Sequence, residues 1–322
     1  MEMILTKDLC KTFKSGKNTV EAVKNVNLHV SQGEIFGFLG PNGAGKTTTM
    51  RMLTTLMTPS NGSATIVGYD LFKNAKQIRQ NIGYVSQKGG CYELATGYEN
   101  LMLQGRLYGL SKAVANENAQ KLIKAFDMQD YAQRKVITYS GGQRRHVDLA
   151  MGVMHSPKLL FLDEPTTGLD PMSRANFWNE IKSLRERGIT VFLTTHYLDE
   201  ADSLCDNICI MDYGKIVAQG TALELKRQIS GDVIEIGMDS IYFEKAKELL
   251  QPRTDINEIL TLDNTLKLYI EVGEKALPEI LPLFVEAKIP ITTIEMSRPT
   301  LDEVFLKKTG HSLKEKDEKE MA

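Results

Sequence analysis

The chain has 322 residues, 42% hydrophobic and 25% charged, an ordinary globular balance with material for one large domain and a smaller one. Lys plus Arg number 39 against 41 Asp plus Glu, a net charge of -2, so a bulk electrostatic attraction to nucleic acid is not indicated. No run approaches the roughly 18–20 apolar residues of a spanning helix, Met1–Lys7 does not read as a secretory signal, and Cys10, Cys91, Cys205 and Cys209 have neither C-x-x-C nor zinc spacing, as expected of thiols in a reducing cytoplasm.

Residues Ile4 to Val30 alternate strand-like pieces with polar turns such as Lys14-Ser15-Gly16-Lys17-Asn18, which predicts a small antiparallel sheet. Ile35-Phe36-Gly37-Phe38-Leu39 is a short apolar run ending in a glycine-rich turn, the pattern of a buried parallel strand. Met50, Leu53 and Met57 lie at helical spacing, predicting a helix over Thr47–Met57 that stops before Pro59. Ala95 to Ala132 reads as a helical insertion, with helices over Tyr98–Leu107 and Ser111–Phe126. A second buried strand is expected at Lys158–Leu162, a helix at Met172–Arg187 and a third strand at Thr190–Thr194. This alternation predicts an α/β domain with helices on a mainly parallel sheet.

A composition break falls near Ile229-Ser230-Gly231-Asp232. Beyond it come a strand at Val233–Met238, a helix at Ile241–Leu250, strands at Ile256–Leu262 and Thr265–Val272, a helix at Lys275–Ala287, a strand at Ile291–Met296 and a helix at Leu301–Lys308. The β-α-β-β-α-β order predicts a small α+β, ferredoxin-like accessory domain. The chain thus divides into 1–230, with a helical subdomain at about 88–155, then 231–309, and a charged tail at 310–322 expected to be disordered.

Gly40-Pro41-Asn42-Gly43-Ala44-Gly45-Lys46-Thr47 fits the phosphate-loop pattern G-x-x-x-x-G-K-[ST], between a strand and a helix as the mechanism requires. Its glycines let backbone N–H groups face phosphate oxygens, with Thr48 continuing into the helix N-terminus. Lys46 would reach the β- and γ-phosphates of a nucleotide, and Thr47 would offer its hydroxyl to Mg²⁺. Asp163 and Glu164 end an apolar strand, where such sheets present ligand groups. Asp163 suits Mg²⁺, and Glu164 suits activation of a water. Ser140-Gly141-Gly142-Gln143 offers a hydroxyl and open N–H groups at an expected helix N-terminus, a second anion site in a chain whose nucleotide needs one cradle.

Tyr139-Ser140-Gly141-Gly142-Gln143 resembles the signature segment of ABC ATPases, with Tyr139 in place of the usual leucine. The resemblance covers residues 1 to about 228. It implies a P-loop NTPase of the ABC type, binding ATP and Mg²⁺, in which two copies pair head to tail. Each Ser140 segment then caps the γ-phosphate held by the other copy. Under it Gln87 matches the glutamine that senses metal and γ-phosphate, Asp170 in Gly168-Leu169-Asp170 reaches across the dimer, and His196 contacts the γ-phosphate and helps position Glu164. Phe13 resembles the aromatic that stacks on adenine, although an edge-strand core residue is an equal reading. Arg51-Met52-Leu53-Thr54-Thr55-Leu56, Leu193-Thr194-Thr195-His196-Tyr197-Leu198 and Arg298-Pro299-Thr300-Leu301-Asp302-Glu303 are similar to the daunorubicin-resistance export ATPases. Lys88-Gly89-Gly90-Cys91 departs from the pattern in a region that meets the membrane partner in this family.

The expected function is an ATP-hydrolysing subunit that drives export through a separate transmembrane permease, at the cytoplasmic face of the membrane, as a homodimer or paired with a similar subunit. The alternatives are a soluble ABC ATPase acting on a non-membrane partner and a regulatory protein that hydrolyses ATP poorly. One cassette with no long heptad run and no basic arm weighs against the first, and the presence of both Glu164 and His196 against the second.

Overall fold

The computed structural model describes residues 1–15, 18–229, 231–262 and 264–311. Gly16 and Lys17, within the predicted turn, Ser230, at the predicted composition break, Asp263 and the charged tail from Ser312 lie outside the described residues. Two compact units are present, one of Met1–Ala222 with His311 and one of Leu223–Gly310.

The first unit opens with β1 (Glu2–Ser15), β2 (Asn18–Val26) and β3 (His29–Ser31), followed by β4 (Ile35–Leu39), α1 (Lys46–Leu53), β5 (Asn61–Ile66) and β6 (Tyr69–Asp70). β2-β1-β5-β6 form an antiparallel sheet, with β3 also paired to β1. This sheet is larger than the sequence suggests, because Gly62 and the short β6 give β5 and β6 little strand character. α1 is shorter than predicted. Thr55 turns into the left-handed region at φ 63, which closes the helix before Met57 and well before Pro59.

α2 (Ala75–Asn81) and β7 (Ile82–Val85) precede the helical part: α3 (Gly97–Leu107), α4 (Lys112–Ala125) and α5 (Gly141–Val153). Thr96 and Ser140 each close a capping box at the helix they begin, satisfying N–H groups that the first turn leaves free. β8 (Leu159–Asp163), α6 (Pro171–Glu186), β9 (Thr190–Thr195), α7 (Leu198–Leu204), β10 (Asn207–Asp212) and β11 (Lys215–Gly220) complete the unit. The central sheet runs β11-β10-β4-β9-β8-β7, parallel throughout except for the β10–β11 hairpin. Strand alternation divides its two faces. Phe36, Phe38 and Phe161 each lie 5.5 Å from the Phe192 ring on the side that packs with Met50 and Leu53. Leu160, Leu162, Val191 and Leu193 face the opposite core with Val147, Phe177 and Ile181. Cys205 caps the end of α7 and Cys209 lies in β10, so the two do not share a helical face.

The second unit begins within α8 (Ala222–Arg227) and continues through β12 (Asp232–Gly237), α9 (Phe243–Leu250), β13 (Ile256–Leu262), β14 (Thr265–Ile270), α10 (Gly273–Glu286), β15 (Thr293–Ser297) and α11 (Leu301–Thr309). Its sheet order β13-β14-β12-β15 is antiparallel throughout, the ferredoxin-like arrangement expected from the sequence. Buried Lys267 is held by Glu235 at 2.7 Å and Glu303 at 2.8 Å, and Tyr269 Oη donates to Glu303 at 2.5 Å.

Candidate active site

Parallel pairing of β4, β9 and β8 brings three strand exits together. Leu39 lies opposite Thr195, and Thr194 opposite Asp163. The loop after β4, the carboxylates after β8 and His196 after β9 therefore emerge at one edge of the sheet, where parallel α/β sheets bind ligands. β7 lies beside β8 and delivers Gln87 to the same edge.

A cleft of about 220 Å³ is lined by Ala22, Pro41 to Thr48, Gln87 and Glu164. Gly45 has φ 107, and a Cβ there would stand 2.5 Å from the Ala22 carbonyl, so the loop can curl this tightly only with glycine. Lys46 Nζ donates to the Gly40 and Pro41 carbonyls at 2.7 and 3.0 Å. It also lies 3.8 Å from Glu164 Oε1.

Asp163 Oδ1 accepts from Thr194 Oγ1 at 2.7 Å and from Thr47 Oγ1 at 3.3 Å. The next residue, Glu164, has left-handed backbone at φ 46, a costly conformation for a side chain of this kind. Its N–H is held by the Thr194 hydroxyl and carbonyl, both at 3.1 Å. Glu164 Oε2 accepts from Gln87 Nε2 at 2.7 Å and from Thr167 Oγ1 at 3.3 Å. His196 Nδ1 is 3.4 Å from the same oxygen and completes no hydrogen bond. Burial pushes the Glu164 carboxyl up, but the His196 imidazole, the Lys46 charge and the Thr167 hydroxyl outweigh it, and the group is held below the usual carboxylate range.

Ser140, Gly141, Gly142, Gln143 and Asp170 do not line this cleft. Ser140 is the N-cap of α5, its Oγ accepting from the Gln143 N–H at 3.3 Å while Gln143 Oε1 accepts from Ser140 N–H at 3.1 Å. A Cβ added at Gly141 meets nothing within 4 Å. Neither packing nor turn geometry within the chain calls for glycine there. Asp170 is the N-cap of α6, accepting from Met172 and Ser173 N–H and from Ser173 Oγ. Tyr139 is buried; its hydroxyl donates to the Tyr131 carbonyl at 2.6 Å and accepts from Gly97 N–H at 3.2 Å. Phe13 is 41% exposed on β1, directly opposite exposed Val20 on β2. It is not a core residue.

Sequence reasoning missed Thr194, which braces both Asp163 and Glu164, and Arg145, whose guanidinium lies behind them. Thr194 follows the buried run of β9 and reads as one more strand residue; nothing in its type marks the role. Lys88-Gly89-Gly90-Cys91 is seated on Asp148, whose Oδ1 accepts from Gly90 N–H at 2.8 Å and from the Cys91 thiol at 3.1 Å.

A family model described as ABC transporter matches residues 23–167, and one described as the C-terminal domain of DrrA1-3-like ATP-binding proteins matches residues 220–309. The chain is 40% identical to the daunorubicin/doxorubicin resistance ATP-binding protein DrrA of Streptomyces peucetius, over 99% of this chain and 96% of that protein. It is 34% identical to the linearmycin resistance ATP-binding protein LnrL of Bacillus subtilis (strain 168), over 97% of this chain and 100% of that protein. Among solved structures, a dimeric post-hydrolysis state of an ATP-binding cassette with ADP and phosphate matches with a TM-score of 0.63 at 28% identity, covering 68% of this chain and 98% of that one. Among the described residues no helix is long and apolar enough to cross a membrane. The chain belongs to the ABC transporter family, as an ATP-binding and ATP-hydrolysing subunit of the daunorubicin-resistance type.

Proposed function

We propose that Glu164 is the general base of ATP hydrolysis and that Lys46, Gln87 and His196 act on the γ-phosphate and water beside it. The observation that carries this is their convergence: Lys46, Gln87 and His196 approach one carboxylate at 3.8, 2.7 and 3.4 Å. A carboxyl held below the usual range is ionised at neutral pH and able to accept a proton. Lys46 would exchange the Gly40 and Pro41 carbonyls for the β- and γ-phosphates, while loop N–H groups cradle the phosphate chain. Phe13, with Val20 opposite, offers an exposed apolar platform to the adenine. Thr47 and Asp163 supply hard oxygen donors 3.3 Å apart at the cleft, a set that suits Mg²⁺. Among the described residues no cluster of three His, Cys, Asp or Glu could hold a metal, which agrees with a cation held chiefly by phosphate and water. When bound, Mg²⁺ would neutralise charge developing on the phosphate oxygens; Thr47, Gln87 and Asp163 would hold it.

Two copies would close head to tail on two ATP molecules, with Ser140, Gly141, Gly142 and Gln143 of one copy capping the γ-phosphate in the other, and Asp170 reaching across. Gly141 supports this, since the space beside its Cα is open and no packing within the chain calls for glycine there. ATP must favour the closed state by about 5 kcal/mol to swing the population fully. A transmembrane permease gripping the Gln87 region would follow that cycle from the cytoplasmic face of the membrane and export a lipophilic, drug-like substrate. The resistance functions in the names of DrrA and LnrL support export.

The test is steady-state turnover of purified protein. Glu164→Gln should bind ATP normally and lose at least about 100-fold in kcat, and Lys46→Ala should lose comparable turnover together with affinity. Native turnover by Glu164→Gln defeats the proposal.

A further inference from the structure

α5 carries one side chain that joins the separate exits of the site. Arg145 is 7% exposed, and a guanidinium has five N–H donors in a rigid fork. All five meet backbone carbonyls. Nε donates to Pro165 O at 2.6 Å, Nη1 to Ser86 O at 2.9 Å and Gln87 O at 3.4 Å, and Nη2 to Glu164 O at 3.0 Å and Asp163 O at 3.3 Å.

Two facts make this more than packing. The carbonyls belong to two of the strand exits that supply the chemistry, Ser86-Gln87 after β7 and Asp163-Glu164-Pro165 at the end of β8. Glu164 also holds a disfavoured left-handed conformation, which persists only where its surroundings fix it. Thr194 grips its N–H side, and Arg145 grips its carbonyl side. Less than one turn further along α5, Asp148 takes the Gly90 N–H and the Cys91 thiol, a second hold on the Gln87 loop. The same helix begins at Ser140.

We propose that Arg145 is a positioning residue for hydrolysis: it ties the Gln87 loop and the strained Glu164 backbone to the helix that starts at Ser140, so that displacement of that helix end is transmitted to the hydrolytic carboxylate. The proposal rests on the role given to Glu164 above. Lysine cannot replace the fork, because its single nitrogen cannot span carbonyls on two strand exits.

The experiment uses the full chain with Arg145→Lys, Arg145→Gln, Glu164→Gln and the two double variants. Phosphate release gives kcat, and a fluorescent ATP analogue with Mg²⁺ gives nucleotide Kd. Arg145→Lys should lose about 10- to 100-fold in kcat, the scale of a small misplacement of a catalytic group, while Kd moves less than about threefold. In the Glu164→Gln background it should cause no further loss, because both changes disable one step. Arg145→Gln adds no buried charge and keeps the test open if the lysine variant fails to fold. Native kcat in both Arg145 variants overturns the proposal, as does a loss that multiplies with Glu164→Gln or that appears equally in Kd. Native turnover by Glu164→Gln defeats the reading of Glu164 instead, whereas native turnover by the Arg145 variants beside an inactive Glu164→Gln defeats only the role of Arg145.

Discussion

Glu180→Gln should reshape the pH dependence of stability. Glu180 lies on α6 with Oε1 3.3 Å from His146 Nε2 and Oε2 buried without a hydrogen-bond partner. Burial, reinforced by the nearby Asp127 charge, pushes its carboxyl up to about 8, and burial pushes the His146 imidazole down. Tyr131 Oη lies 3.3 Å from His146 Nδ1 on the other side. The fold therefore favours both groups neutral. A carboxyl raised from 4.5 to about 8 contributes stability that is complete below the unfolded value and is lost as pH rises through the folded one. At about 1.4 kcal/mol per tenfold, the upper bound is about 5 kcal/mol. The side chain is 17% exposed, and solvent screening brings the expectation to about 2–3 kcal/mol. His146 contributes in the opposite sense: a depressed imidazole stabilises above its ordinary 6.5, and that contribution is lost as pH falls through the folded value. Urea unfolding followed at Trp178, the single tryptophan and a neighbour on α6, reads this unit. Relative to wild type, Glu180→Gln should gain stability steadily from about pH 5 to about pH 8.5. A difference that stays constant across that range would refute the reasoning.

Two substitutions test the supports of the site. Thr194→Val keeps the strand but removes the hydroxyl shared by Asp163 and the Glu164 N–H, and should lower kcat about 10-fold with nucleotide Kd nearly unchanged, measured by phosphate release and analogue binding. Tyr139→Phe strands the Gly97 N–H and takes one of two donors from the Tyr131 carbonyl, which keeps the Arg134 N–H, and should cost about 1–3 kcal/mol in urea unfolding while ATP affinity stays within about twofold.

The groups that bind phosphate announce themselves in sequence because their chemistry requires particular residue types in a fixed local order. Gly40 to Thr47, Asp163-Glu164 and Ser140-Gly141-Gly142 are legible for that reason, and the fold follows from apolar runs such as Ile35–Leu39 and Leu159–Leu162. What stayed hidden is held by backbone. Arg145 addresses carbonyls, which every residue has, so its partners at Ser86 and Pro165 carry no sequence mark. Thr194 works from inside a strand whose neighbours are equally buried. β10 was missed because Asn207–Asp212 is a short run between polar segments, and the β10–β11 turn at Tyr213-Gly214 is tight, with Tyr213 at φ 44. Gln143 and Asp170, matched to the family as ligand residues, are engaged here as helix caps, a use that spacing alone does not reveal.

Analytical ultracentrifugation of the Glu164→Gln protein is the direct test of the motor cycle. With MgATP it should sediment as a dimer holding two nucleotides, and it should revert to monomer in MgADP or when Ser140→Arg is added. A monomer at every ATP concentration, or a dimer indifferent to both nucleotide and Ser140→Arg, would contradict the account.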